Sequence, residues 1–353
     1  MNAAGRERGR NPAPDGLIPL AARAEAAVFW PVWLRQRLAV PGLVGATVAA
    51  AFLLAVWVAA GGWRSGALRT EIVGEALFFA LSLGLIMELA ALIPRSAQDD
   101  LDVLARELTI DDALRKRLHS ALVRYPAGDV AVNAAIGIAL GAVHVVLTGS
   151  GWSGLTGDPV AALLAIGTVA LWAMMVQTGS LLVANARLFA SLGRTAVRVE
   201  VLAPDRLRPF ATVALRPMLL VMVLLAAYPL MLLGSDGFGA TAAIGPVATT
   251  FLALAAVWVP LRGLAGRIRE ARASRLSQLD AAIAAGLQTS DAHGAPADPQ
   301  RLEALIALRA RVRAAPSLPI GLGGIGRGLA YLALPVATWG GKGFAEGLLN
   351  RLF

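Results

Sequence analysis

Long apolar runs dominate this chain, and they leave few folds open to it. Six of them cover Ala39 to Ala60, Ile72 to Ile93, Val130 to Thr148, Pro159 to Val183, Pro217 to Leu233 and Thr241 to Val259. A helix needs about 20 residues to cross the hydrocarbon core of a bilayer. In lipid the backbone must bond to itself, so each run is read as a transmembrane helix. The expected fold is all-α: a polytopic transmembrane helical bundle of about six spans over residues 39–259. Charged residues make up only 16% of the chain and hydrophobic ones 57%, which fits lipid rather than water as the solvent.

Basic residues set the orientation. Apart from Arg64 and Arg69, every Lys and Arg falls in a segment preceded by an even number of crossings. By the positive-inside pattern those segments are cytoplasmic. The chain is therefore expected in the plasma (inner) membrane, multi-pass, with the N-terminus and the tail 262–316 in the cytoplasm. The net charge of +9 is explained by this distribution, so the bilayer and not nucleic acid is the expected partner. Residues 1–38 carry no short apolar core followed by a small-residue cleavage site, so a cleaved signal peptide is not expected.

The segments between and beyond the runs have their own patterns. Residues 1–16 read as disordered, and Ile18 to Arg37 as either an interfacial helix or a lead-in to the first span. Turn chemistry separates spans at residues 149–154 and 234–237, where Gly alternates with Ser or Asp. In the cytoplasmic loop 94–129, Leu101, Leu104, Leu108, Ile110, Leu114, Leu118 and Leu122 recur at helical spacing, predicting one or two amphipathic helices. Its carboxylates alternate with Arg and miss the calcium-loop pattern, so they read as a solvated helix face.

The tail begins as a helical extension of the sixth run, in which Leu261, Leu264, Ile268, Leu276, Leu279 and Ile283 form an apolar stripe that breaks at 288–297. Asp298-Pro299 then starts a second helix. This predicts an αα-hairpin over 260–316, a surface for a homo-oligomer or a protein partner through 261–312. Residues 317–353 are Gly-rich and read as an interfacial segment or a seventh span.

No motif supplies a catalytic centre. Gly321, Gly323 and Gly326 match the dinucleotide spacing, but Pro316 and Pro319 stand where the motif requires a strand. Lys342 follows two glycines without the Ser or Thr of a phosphate loop. His119, His144 and His293 do not have metal-ligand spacing, and with no cysteine in the chain a thiolate site is impossible. No catalytic residue, cofactor or metal is expected, and the chain is not read as an enzyme.

Only two charged side chains, Glu75 and Glu88, fall inside the six runs, both in the second. A carboxyl in hydrocarbon is costly unless it is neutralised, paired or hydrated, so such positions are functional candidates. Depth arithmetic sets Glu75 level with His144, and Glu88 level with Asn133 and Gln177. On the third run Asn133, Gly137, Gly141 and His144 lie within about 80° of one another at ~100° per residue, a packing seam that also carries polar groups. Trp172 lies mid-run, where an interfacial belt does not account for it. The expected function is a small transporter or channel-like protein using Glu88 with Asn133 and Gln177, the other candidates being Glu75 and His144. The alternative is a membrane-embedded scaffold or signalling protein acting through its cytoplasmic hairpin.

Overall fold

A computed structural model describes residues 22–38, 42–62, 70–105, 108, 110–148, 158–195, 208–232, 244–288, 299–315 and 326–333. Among them the regular elements are all helical, and an isolated extended bridge joins Val28 and Arg124. The helices are α1 (Trp30–Leu38), α2 (Leu43–Ala59), α3 (Thr70–Leu104), α4 (Asp112–Ala121), α5 (Ala127–Leu147), α6 (Pro159–Thr195), α7 (Arg208–Leu225), α8 (Ile244–Gln288) and α9 (Pro299–Ala314). The turns expected at 149–154 and 234–237, the disorder expected over 1–16, residues 289–298 and most of the Gly-rich end lie outside the described residues. Residues 326–333 are helical.

Four helices, α3, α5, α6 and α8, contain stretches long and apolar enough to cross a membrane. A fifth candidate is the pair α1 and α2, which turn through 100° between them. The remaining expected span is interrupted. α7 stops at Leu225, and after Ala226-Ala227 the chain continues as a 3₁₀ turn over Tyr228–Leu232 that contains Pro229. Proline cannot donate the bond that would carry the helix through this point.

α5 carries the signature of a lipid-facing helix. Its glycines Gly137 and Gly141 are buried, whereas Val132, Ile138, Val143, Val146 and Leu147 are more than half exposed. A helix that turns small residues inward and large apolar ones outward suits lipid and not water. α3 is the opposite case, sitting in the centre against α2, α6, α7 and the 3₁₀ turn.

Backbone contact fixes the crossings. A Cβ on Gly45 would lie 2.5 Å from the Gly84 carbonyl oxygen, and one on Gly84 would lie 2.7 Å from that of Gly45. Seven residues further along α2, Phe52 meets Phe79 with ring centroids 5.8 Å apart, so α2 and α3 run antiparallel. α5 and α6 are likewise antiparallel. A Cβ on Gly137 would meet Ala173, and one on Gly141 would meet Val169. The seam read on the third run is the face that packs on α6.

Two helices outrun the expected spans, and the sixth span continues into the tail as its stripe predicts. α3 continues through Pro94 to Leu104, and Ser96 Oγ donates to the Ile93 carbonyl at 2.9 Å in that turn. α6 continues to Thr195 and α8 to Gln288. Their ends and α4 enclose a second apolar core of Leu101, Leu104, Leu118, Leu192, Leu264 and Ile268, capped by Phe210. The upper part of the tail stripe is thus buried against the extended spans. Only its lower part faces α9, where Gly286 approaches Leu302, and Arg309 and Arg272 donate to Asp280 and to the Arg313 carbonyl. α4 begins at Asp111, whose carboxylate accepts the Leu114 N–H at 2.7 Å as an N-cap.

Candidate functional site

The predicted site residues are parted by the fold. Glu88 accepts the Gly45 N–H at 3.0 Å through Oε1 and lies 3.4 Å from the Arg35 guanidinium through Oε2. Gly45 is the third residue of α2, and its N-cap, Gly42, offers no side-chain acceptor. The first N–H groups of a helix have no partner within it, and they favour an anion. Glu88 therefore caps α2 from a neighbouring helix, with Arg35 of α1 balancing its charge.

Gln177 and Asn133 bond elsewhere. Gln177 Oε1 accepts from Trp30 Nε1 at 2.9 Å, and Asn133 Nδ2 donates to Ser180 Oγ at 3.0 Å. The sequence put Glu88, Asn133 and Gln177 at one depth, but each bonds outside the trio. His144 packs against Trp172, ring centroids 5.9 Å apart. Glu75 is half-buried near the other end of α3.

Two of these bonds tether the N-terminal segment. Phe29 N–H bonds to the Val123 carbonyl and Tyr125 N–H to that of Ala27, both at 2.9 Å. Val32 is fully buried among Ala90, Leu181 and Ala184. α1 is therefore packed into the basic end of the bundle, which neither the interfacial-helix nor the lead-in reading anticipated.

A different constellation lies along α6. A groove of about 620 Å³ opens beside Arg23, Asp129 and Arg187, passes Asn133 and Ser180, and ends at Trp172, Met175 and Thr249. On α6, Trp172, Val176, Gly179, Ser180, Val183 and Arg187 line it at helical spacing. Trp172, Met175 and Thr249 also line a smaller cavity of about 60 Å³, which continues to Ser82, His144, Thr168 and Tyr228.

The two spaces meet at Trp172 and Thr249, one following the other from the basic end towards the bundle centre. Met231, in the 3₁₀ turn, lines the smaller cavity with Tyr228. Ser82 Oγ, on its wall, is buried without a hydrogen-bond partner among the described residues. An unpaired buried hydroxyl costs about 1–3 kcal/mol, so water or a ligand in this cavity would be stabilised.

Of the residues anticipated, Asn133 lines the groove and His144 the cavity. Glu88 lines neither of these two spaces. Ser82, Thr249, Arg23 and Arg187 were not singled out, being common residue types in a membrane protein. The one available signal was Trp172, an indole in mid-span. Among the described residues no group of three His, Asp or Glu side chains converges to hold a metal ion. Comparison with protein-family models, with curated proteins and with solved structures gives no match for this chain.

Proposed function

We propose that this protein is a small multi-pass transporter or channel-like protein whose pathway follows α6, from the groove at its basic end through Trp172 and Thr249 to the cavity at Ser82. The observation that carries this reading is the end-to-end arrangement of the two spaces, sharing Trp172, Met175 and Thr249. Interrupted helices at membrane depth are tolerated where they line a cavity, which fits the 3₁₀ turn at Tyr228. Counting α1–α2 and α7 with its 3₁₀ turn as broken spans gives six crossings, with both the N-terminus and the tail in the cytoplasm of a plasma membrane. Glu88 then serves to hold α2 and stands outside the pathway.

Reconstitution in vesicles tests the reading. A panel of protons, alkali cations, small anions and labelled phospholipids is assayed with the wild type, Trp172→Ala and Val176→Trp. At least one species should move. Removing the indole should speed it, and filling the groove should stop it. No movement of any species in wild type and Trp172→Ala would favour the second reading, a scaffold acting through its hairpin. That reading draws on Leu287 and Ile306, large apolar side chains that stay exposed on α8 and α9.

A further inference from the structure

We infer that the groove along α6 takes an anionic phospholipid from the cytoplasmic leaflet, its phosphate at Arg23 and Arg187 and one acyl chain along Val176 and Met175. The inference rests on the transport reading and names the substrate class of that site. Charge supports it first. Arg23 and Arg187 face a single carboxylate, Asp129, at the mouth, and neither guanidinium forms an ion pair among the described residues. Arg23 is held over the Tyr125 ring at 5.3 Å, a cation–π contact that fixes its guanidinium beside the groove. Basic pockets between spans on the cytoplasmic side suit anionic headgroups, since guanidinium binds phosphate through paired donors.

Dimensions support it next. From Arg187 to Trp172 the helix rises about 22 Å at ~1.5 Å per residue. One leaflet with its headgroup layer measures roughly 20–22 Å. Polarity along that length falls in the order a phospholipid requires. Arg and Asp stand at the mouth, Asn133 and Ser180 follow at the depth of the glycerol esters, and Val176 and Met175 line the deeper part before Trp172 and Thr249. Val132, on the groove wall, is 58% exposed on the lipid-facing surface of α5, so the groove opens sideways as well as at its end. A chain can therefore enter from the leaflet without leaving hydrocarbon.

The test is binding of tail-labelled phosphatidylglycerol and phosphatidylcholine, with identical chains, to the purified full-length protein. Phosphatidylglycerol should bind about tenfold more tightly. Arg23→Gln with Arg187→Gln should reduce it to the phosphatidylcholine level, and Arg23→Lys with Arg187→Lys should restore most of the difference. Val176→Trp should weaken both lipids while the protein still melts cooperatively. Equal binding of the two lipids, an unchanged preference in the double Gln variant, or full displacement by millimolar inorganic phosphate would each overturn the proposal. Thiol labelling of Ser180→Cys separates the two readings. A labelled groove that binds both lipids alike rejects the phospholipid and keeps the pathway, and an unlabelled groove rejects both.

Discussion

The Arg35 guanidinium lies 3.4 Å from the Glu88 carboxylate, whose other oxygen accepts the Gly45 N–H at 3.0 Å. One side chain in the middle of α3 thereby joins α1, the bend and the start of α2. Glu88→Gln keeps an acceptor for Gly45 but leaves Arg35, which is mostly buried, without its counter-charge. The expected loss is about 1.5–3 kcal/mol, the range for a hydrogen bond to a charged group. Arg35→Gln should cost a similar amount and the double variant less than the sum, because the two act on one interaction. Thermal melting of all three checks this. A stabilised Glu88→Gln would mean that the carboxyl is a buried liability and not a cap.

Gly84→Ala should separate α2 from α3, since its Cβ would fall 2.7 Å from the Gly45 carbonyl oxygen and neither backbone can yield cheaply. Overpacking of this kind costs about 1–3 kcal/mol. Gly266→Ala is the control. It lies in α8 with nothing within 4 Å of an added Cβ, and it should stabilise by about 0.5–1 kcal/mol through helix propensity. Equal melting temperatures for the two variants would contradict the packing assigned to the α2–α3 crossing.

Ile268→Asp should disrupt the core beyond the membrane, placing a carboxylate among Leu101, Leu118 and Leu192 at a cost of several kcal/mol. Ile306→Asp, on the exposed face of α9, should leave folding intact. Limited proteolysis of α4 and α8 distinguishes them. Resistance retained in Ile268→Asp would place the stripe outside the core. Loss of self-association in Ile306→Asp alone would support the scaffold reading.

The absence of cysteine lets orientation be read from single replacements. Ser120→Cys and Ser277→Cys should react with an impermeant thiol reagent from the cytoplasmic side only, and Thr148→Cys, at the other end of α5, from the outside only. Reaction of Ser120→Cys from outside would invert the assignment.

Much of the helical plan is legible in the sequence because apolar length and small-residue spacing act locally. The face holding Asn133, Gly137 and Gly141 follows from periodicity alone, and it is the face laid on α6. What depends on long-range return of the chain is not legible. Nothing in the runs announces that the N-terminal segment folds back so that Arg35 meets Glu88 and Trp30 meets Gln177. Depth alone put Glu88, Asn133 and Gln177 together, but depth does not fix the direction in which each side chain leaves its helix. Pro94 reads as an end and is absorbed within α3, whereas Pro229 falls in the break after α7, because tertiary packing decides which interruption a helix survives.

The most direct test of the pathway is the reactivity of Thr249→Cys, at the junction of groove and cavity and only 5% exposed. In detergent-purified protein a small hydrophilic thiol reagent should modify it, Val176→Trp should slow the reaction at least tenfold, and Trp172→Ala should extend it to Ser82→Cys. Thr249→Cys that stays unmodified in wild type and in Trp172→Ala, while Ser180→Cys at the groove wall reacts, would mean that the groove ends blind and that nothing crosses along α6.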